Sequence, residues 1–209
     1  MKETTFSINV EDNISGEDIL KKLERFGRTC YKSEENITKD SSINFIKGII
    51  KNNHESVLEH EKVSVRIICD RGVTHEIVRH RIGSYSQEST RYCNYTKDKF
   101  CNEITVITPS FFHNTEKYDI WKEAMKKAEE YYFKLISLGA APQEARTVLP
   151  NSIKTEIIVT YNLREWRHFL RQRTSKQAHP QMREIALKIL SELKKIIPVV
   201  FDDIEVVNE

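Results

Sequence analysis

Residues 61–72 read EKVSVRIICDRG. Val63, Val65, Ile67 and Cys69 fall on alternate positions, the period of two that lines up side chains on one face of a strand, and Asp70-Arg71-Gly72 reads as the turn that ends it. A second alternating run, Thr155, Ile157, Val159 and Tyr161, predicts another strand. It delivers the chain to Asn162, a residue type suited to capping the helix that carries Trp166 and Leu170.

Outward from these strands the sequence is mostly helical. Phe6, Ile8 and Val10 alternate as an edge strand, after which Ser15 and Asp18 start a helix bearing Ile19, Leu20, Leu23 and Phe26. From about Ser42, Phe45, Ile46, Ile49 and Ile50 recur at helical spacing, and this helix ends in the polar stretch Lys51-Asn52-Asn53-His54. A short helix is expected from Val73 to about His80. The longest runs from Glu116 to Leu138, with Trp121, Met125, Tyr132, Leu135 and Ile136 on one side as packing residues and Gly139 as its stop. Pro142 restarts a helix at its first turn. Pro180 opens the last major one, which carries Met182, Ile185, Ile189, Leu190, Leu193 and Ile196 until Pro198 stops it. The tail from Phe201 to Glu209 is left open between a strand, a subunit contact and an unstructured acidic end. Without repeats, low-complexity stretches or a linker, residues 1–209 read as one α+β domain. It has a small, mostly antiparallel sheet flanked by helices, including the long one near 116–138.

A chain of 209 residues buries roughly 70% of the surface its unfolded form exposes, enough for a real core. Thirty-three basic residues nearly balance thirty-one acidic ones, for a net charge of +2, so any anion site must be local rather than a property of the whole molecule. Cys30, Cys69, Cys93 and Cys101 have neither the density of a disulfide scaffold nor a CxxC pair, and point to reduced thiols in a cytosol. The amino terminus lacks the apolar stretch of a signal peptide and no run is long enough to span a membrane, so the expectation is a cytoplasmic protein without a membrane partner.

The chemistry concentrates between Arg79 and Tyr92, RHRIGSYSQESTRY. Arg79, His80, Arg81 and Arg91 crowd around Ser84, Ser86 and Ser89, with Gly83 in what reads as a loop. Guanidinium forks, hydroxyls and backbone amides together suit a phosphate-bearing ligand. An arbitrary Arg-His-Arg triplet is more often a solvated basic loop. A nucleic-acid site, with Arg79, Arg81 and Arg91 on phosphates and Tyr85 and Tyr92 stacked on bases, is the other alternative; the small net charge and the absence of an extended basic face argue against a nucleic-acid partner. His54 and His60 lack a third ligand, so no metal site is read. Cys93 has no neighbouring base in the sequence and is assigned to packing.

Arg79-His80-Arg81, seven residues, Ser89 and then Arg91-Tyr92 closely resembles the signature of the flavin-dependent thymidylate synthases. Three more elements of that family occur in order: His54-Glu55-Ser56-Val57-Leu58-Glu59-His60, Ala145-Arg146-Thr147-Val148-Leu149-Pro150 and Asn162-Leu163-Arg164. Leu170 to Ala186 resembles the segment bearing the arginine that activates the uracil ring, here Arg173. The resemblance covers most of residues 42 to 190. It implies conversion of dUMP to dTMP, with 5,10-methylenetetrahydrofolate as carbon donor, FAD and NADPH as reductants, and no cysteine nucleophile.

It further implies catalytic roles for Arg173 and for His54, the latter near the folate. By the same resemblance dUMP meets Glu76, Ile77, Val78, Arg79, Gln87, Glu88, Ser89, Thr90, Arg91, Arg146 and Arg173. FAD meets Ser56, Glu59, Arg79, His80, Arg81, Ile82, Gln87, Asn162, Leu163, Arg164 and His168. The family's members form homotetramers with shared active sites. The sequence departs from the common pattern at Ser86-Gln87-Glu88, where Asn-Glu is usual, and at His168, where asparagine is; Gln87 can hydrogen-bond a uracil or ribose but brings no charge.

Overall fold

The computed structural model describes residues 1–97 and 100–206. Along the chain run β1 (Lys2–Thr4), β2 (Ser7–Val10), α1 (Gly16–Thr29), α2 (Ser41–Lys51), β3 (Lys62–Asp70), α3 (Arg71–Ile77), β4 (Ser84–Gln87) and β5 (Thr105–Ile107). They are followed by α4 (Glu116–Ser137), α5 (Pro142–Ala145), β6 (Lys154–Asn162), α6 (Leu163–Arg173), α7 (Pro180–Ile196) and α8 (Pro198–Phe201), with short 3₁₀ turns between, including Glu55–His60. The class is α+β: a small antiparallel sheet in the order β2-β3-β6-β4, flanked by helices, beside a separate parallel pair, β1 and β5.

The chain divides into two compact units, Met1–Ser7 with Ile67–Arg79 and Tyr85–Ile158, and Ile8–Arg66 with His80–Ser84 and Val159–Glu209. The first is built around α4. Trp121, Met125 and Tyr132 pack with Tyr95, Ile104, Val106, Ala145 and Ile153, so the aromatic stripe on α4 is core. The helix ends where expected: Gly139 adopts a φ of +93°, a left-handed conformation that costs glycine nothing.

The second unit is packed by α1, α2, α6 and α7. Ser15 caps α1 by accepting the Asp18 N–H at 3.3 Å. Gly16 has no alternative there, since a Cβ would collide with the Ile196 carbonyl at the end of α7. Trp166 is wholly buried and donates its indole N–H to the Val63 carbonyl at 2.9 Å, so the helix after β6 is tied to β3 by a bond that exposes no polar group.

Both alternating runs are strands with the expected faces buried: Val63, Val65, Ile67 and Cys69 in β3, and Thr155, Ile157, Val159 and Tyr161 in β6. Three local readings are corrected. Asp70 does not close a turn: its side chain accepts the Val73 N–H at 2.8 Å, so it is an N-cap, and α3 begins at Arg71 and ends at Ile77, short of His80. The stretch after Gly83 is not a loop but strand β4, whose Glu88 N–H, just beyond it, donates to the Glu156 carbonyl at 2.8 Å. Pro198 does stop α7, which ends at Ile196, and it also opens the short α8 at its first position, where its missing N–H costs nothing. β1 and β5 are three residues each, too short for an alternation to register. Of the open-ended tail, residues 207–209 lie outside the described residues.

Candidate active site

Most of the residues that the resemblance assigns to dUMP belong to the first unit. Ser89, Thr90 and Arg91 form a turn directly after β4: the Ser89 hydroxyl accepts the Arg91 N–H at 3.2 Å, and its carbonyl accepts the Tyr92 and Cys93 N–H groups at 3.2 and 2.9 Å. Arg146, from the 3₁₀ turn after α5, donates to the Thr90 hydroxyl at 3.4 Å. Arg91 donates to the Gln143 side chain at 3.1 Å and lies over the Tyr92 ring at 5.3 Å. Two guanidiniums and two hydroxyls thus come together around one turn, a donor set suited to phosphate oxygens.

Gln87 is turned inward. Its side-chain nitrogen donates to the hydroxyls of Thr74 and Thr155 at 3.0 and 3.3 Å. With both amide hydrogens used there, the amide offers its carbonyl oxygen to a ligand. Glu88 is paired with Lys154 at 2.8 Å. Of the residues at the end of α3, Ile77 is fully buried, so only its backbone can meet a ligand, while Glu76 is partly open and Val78 and Arg79 are exposed.

The FAD set concentrates in the second unit. Glu59, Ile82, Asn162, Arg164 and His168, joined by Glu55, Glu165 and Arg171, line one cavity of about 460 Å³. Asn162 ends β6 and caps α6, its side-chain oxygen accepting the Glu165 N–H at 2.8 Å. From that cap, Arg164, His168 and Arg171 follow at helical spacing on one face. Arg164 holds Glu59 at 2.5 Å. Ile82 is 66% exposed, an apolar surface of the kind a flat ring covers. Leu163 is fully buried and can offer only its backbone; Arg81 and Ser56 are exposed.

His54 stands at the start of the Glu55–His60 turn, its Nδ1 3.3 Å from the Tyr31 hydroxyl. His60 packs edge-on against Phe26. Glu55, in the same motif, is structural: it bridges Arg171 at 3.1 Å and the wholly buried Arg167 at 2.9 Å, and Arg167 also binds Asp203 at 2.6 Å and the Val200 carbonyl.

His80 is buried, with Nδ1 3.0 Å from the Glu165 carboxylate and Nε2 accepting the Nε–H of Arg173 at 3.2 Å. Burial holds its pKa below the ordinary histidine value; the Glu165 hydrogen bond opposes this and the Arg173 charge adds to it. The ring is therefore neutral at pH 7, with the proton on Nδ1. Ligand atoms of His80, Glu165 and His168 do lie within 4.8 Å of one another. A metal on Nδ1, however, would move the proton to Nε2, against the N–H of Arg173, so this cluster is better matched to a proton than to a cation.

Sequence reasoning passed over Glu165, Arg167 and Arg171. Arg171 was visible in the i, i+4, i+7 recurrence of Arg164, His168 and Arg171 along α6. Glu165 and Arg167 had no such signal, because His80 and Glu55 lie 85 and 112 residues away.

The profile of the family described as "Thymidylate synthase complementing protein" matches residues 15–199. The flavin-dependent thymidylate synthase of Pyrococcus furiosus is 37% identical over 171 residues, covering 81% of this chain and 70% of its own. That of Mycobacterium tuberculosis strain H37Ra is 36% identical over 202 residues, covering 88% and 79%. In fold, the chain is similar to the UMP/dUMP methylase PolB of Streptomyces cacaoi, solved with 5-Br dUMP, at a TM-score of 0.78 and 21% identity over 97% of this chain and 96% of that one. With a profile match that runs from the cap of α1 to α8 and relatives alike over four fifths of the sequence, the chain belongs to the flavin-dependent thymidylate synthase family.

Proposed function

We propose that this protein methylates dUMP to dTMP, taking the carbon from 5,10-methylenetetrahydrofolate and the reducing equivalents from NADPH through FAD, and releasing tetrahydrofolate. One observation carries the cofactor reading: five residues that the family resemblance assigns to FAD come from separate stretches of the chain and line one cavity. The donors there fit part of an FAD. Asn162, Arg164 and His168 suit a pyrophosphate, and Ile82 offers apolar surface. Ser56, Glu59, Arg79, His80, Arg81, Gln87 and the Leu163 backbone complete the proposed set.

The chain's own part is to hold and polarise. Ser89, Thr90, Arg91 and Arg146 hold the nucleotide phosphate, with Glu76, Ile77, Val78, Arg79, Gln87 and Glu88 in the wider dUMP set. Gln87 presents its carbonyl oxygen, which pairs with the N3–H of a uracil. Arg173 stabilises negative charge developing on the pyrimidine, as a preorganised cation does at an oxyanion, and His54 lies toward the folate. FAD supplies the hydride chemistry when bound.

We further propose that residues 1–209 act as one catalytic domain, that the protein is cytoplasmic, and that it assembles as a homotetramer. Four free cysteines support a reducing compartment, and no helix among the described residues is long and apolar enough to cross a membrane. On α4 and its C-cap, Ile120, Tyr131 and Leu138 are 71%, 50% and 77% exposed. Spaced by close to whole numbers of turns, they form an apolar stripe suited to a second copy.

The test is tritium release from C5-labelled dUMP with FAD, NADPH and methylenetetrahydrofolate, each omitted in turn. Release should need all three, persist in Cys93→Ser and fall sharply in Arg173→Ala. Release without FAD, or its loss in folded Cys93→Ser, would refute the mechanism.

A further inference from the structure

The histidine of the Arg79-His80-Arg81 triplet differs from its neighbours. Arg79 and Arg81 are exposed, whereas His80 is 5% exposed, with its ring edge-on to Phe169 at 4.9 Å and to His168 at 5.5 Å. Both ring nitrogens are engaged inside the protein. Nδ1 meets Glu165 at 3.0 Å and Nε2 accepts from the Nε of Arg173 at 3.2 Å. Glu165 is itself buried, and its backbone N–H is held by Asn162 at 2.8 Å. Carboxylate, imidazole and guanidinium thus form a line anchored at the start of α6 and ending at its last residue.

We propose that Glu165 and His80 are positioning residues that fix the plane of the Arg173 guanidinium against the pyrimidine, an inference that rests on the role given to Arg173 above. The argument is one of donors and acceptors. A neutral imidazole carries one N–H and one lone pair. Glu165 accepts only, so it selects the tautomer with the proton on Nδ1. That choice leaves Nε2 as the acceptor that Arg173 requires. Without the carboxylate only the Arg173 N–H favours this tautomer; with the proton on Nε2, ring and guanidinium would meet donor to donor and the bond that holds the Arg173 Nε would be lost. Because the guanidinium is a rigid plane, a bond at Nε constrains the direction of both Nη groups. Glu165 lines the cavity proposed for FAD, but this role requires no contact with the substrate.

A double-mutant cycle on tritium release, followed in single turnovers with FAD and dUMP saturating, tests this. Glu165→Ala should lower the rate constant roughly 10- to 100-fold, the scale of a misplaced reacting group, while KM for dUMP stays within about twofold. Glu165→Gln, which keeps an acceptor oxygen, should recover most of the rate. In the Arg173→Ala background, Glu165→Ala should have no further effect, because there is no guanidinium left to position. Should Glu165→Ala be too unstable to assay, His80→Ala, which removes the acceptor, enters the same cycle: the rate should fall in the Arg173 background and not further in Arg173→Ala.

Equal losses in the two backgrounds would make Glu165 merely structural and overturn the proposal. So would an unchanged rate in Glu165→Ala beside a collapsed one in Arg173→Ala, an outcome that leaves the role of Arg173 intact. An unchanged rate in Arg173→Ala would instead refute the reading beneath it, and the proposal with it.

Discussion

Arg164 and Glu59 sit 2.5 Å apart with about half of each side chain in water. A pair so exposed contributes under about 1 kcal/mol to stability, so its meaning lies in the cavity. A phosphate approaching Arg164 meets a cation already engaged by a carboxylate and must displace it. Arg164→Ala should therefore weaken FAD about tenfold, the value of one charge-assisted hydrogen bond, whereas Glu59→Gln should leave the affinity equal or raise it; fluorescence titration of the flavin reads both. Weaker binding in Glu59→Gln would show that the carboxylate supports the cofactor rather than competes with it. Arg164 was legible as a ligand-site residue because Asn162-Leu163-Arg164 is a motif. That it is shared with Glu59, 105 residues away, was not, because a motif names residues and not their partners.

At the scale of the element, α6 shows what periodicity reveals and what it hides. Its start was readable from Asn162, and its packing face from Trp166 and Leu170. Arg167 was not readable, since arginine is the residue least expected to be fully buried. It is tolerated because Glu55, Asp203 and the Val200 carbonyl all receive it, two of them from the far end of the chain. Arg167→Met would leave the buried Glu55 and the half-exposed Asp203 with only Arg171 as a partner and the Val200 carbonyl without this donor, and should cost about 3 kcal/mol, lowering Tm on the order of 10 °C in a chain of this size. An unchanged melting curve would mean that the network contributes nothing net. The opposite lesson comes from β4. Its four residues were read as a loop because arginines and serines dominate the segment, yet edge position and backbone pairing, which leave no mark on composition, decided the matter.

For the whole molecule, His80 makes stability depend on pH. Burial lowers its pKa from the ordinary 6.5, against the Glu165 bond and with help from Arg173. The unfolded chain therefore takes up the proton at a higher pH than the folded one. As pH falls through about 6.5, the unfolded state binds more protons and gains, so stability drops until the folded histidine is also protonated. Tm should be level near pH 7–8 and decline toward about pH 5.5, with a shallower decline in His80→Gln; a Tm that rises on acidification would contradict this sign. Asp203 acts in a lower window. Burial raises its pKa, but Arg167 and Arg171 together outweigh burial and hold it below 3.8, so its contribution is lost only as pH falls past that folded value.

One feature of the chain's course bears on how a ligand arrives. β6 ends at Asn162 and α6 begins at Leu163, with no connecting residue, so Asn162, Arg164, Glu165, His168 and Arg171 are spaced by a continuous run of backbone hydrogen bonds. A cofactor entering that cavity finds this side of it already assembled. None of its binding free energy is consumed in freezing a flexible segment, and discrimination among ligands falls to shape and charge alone.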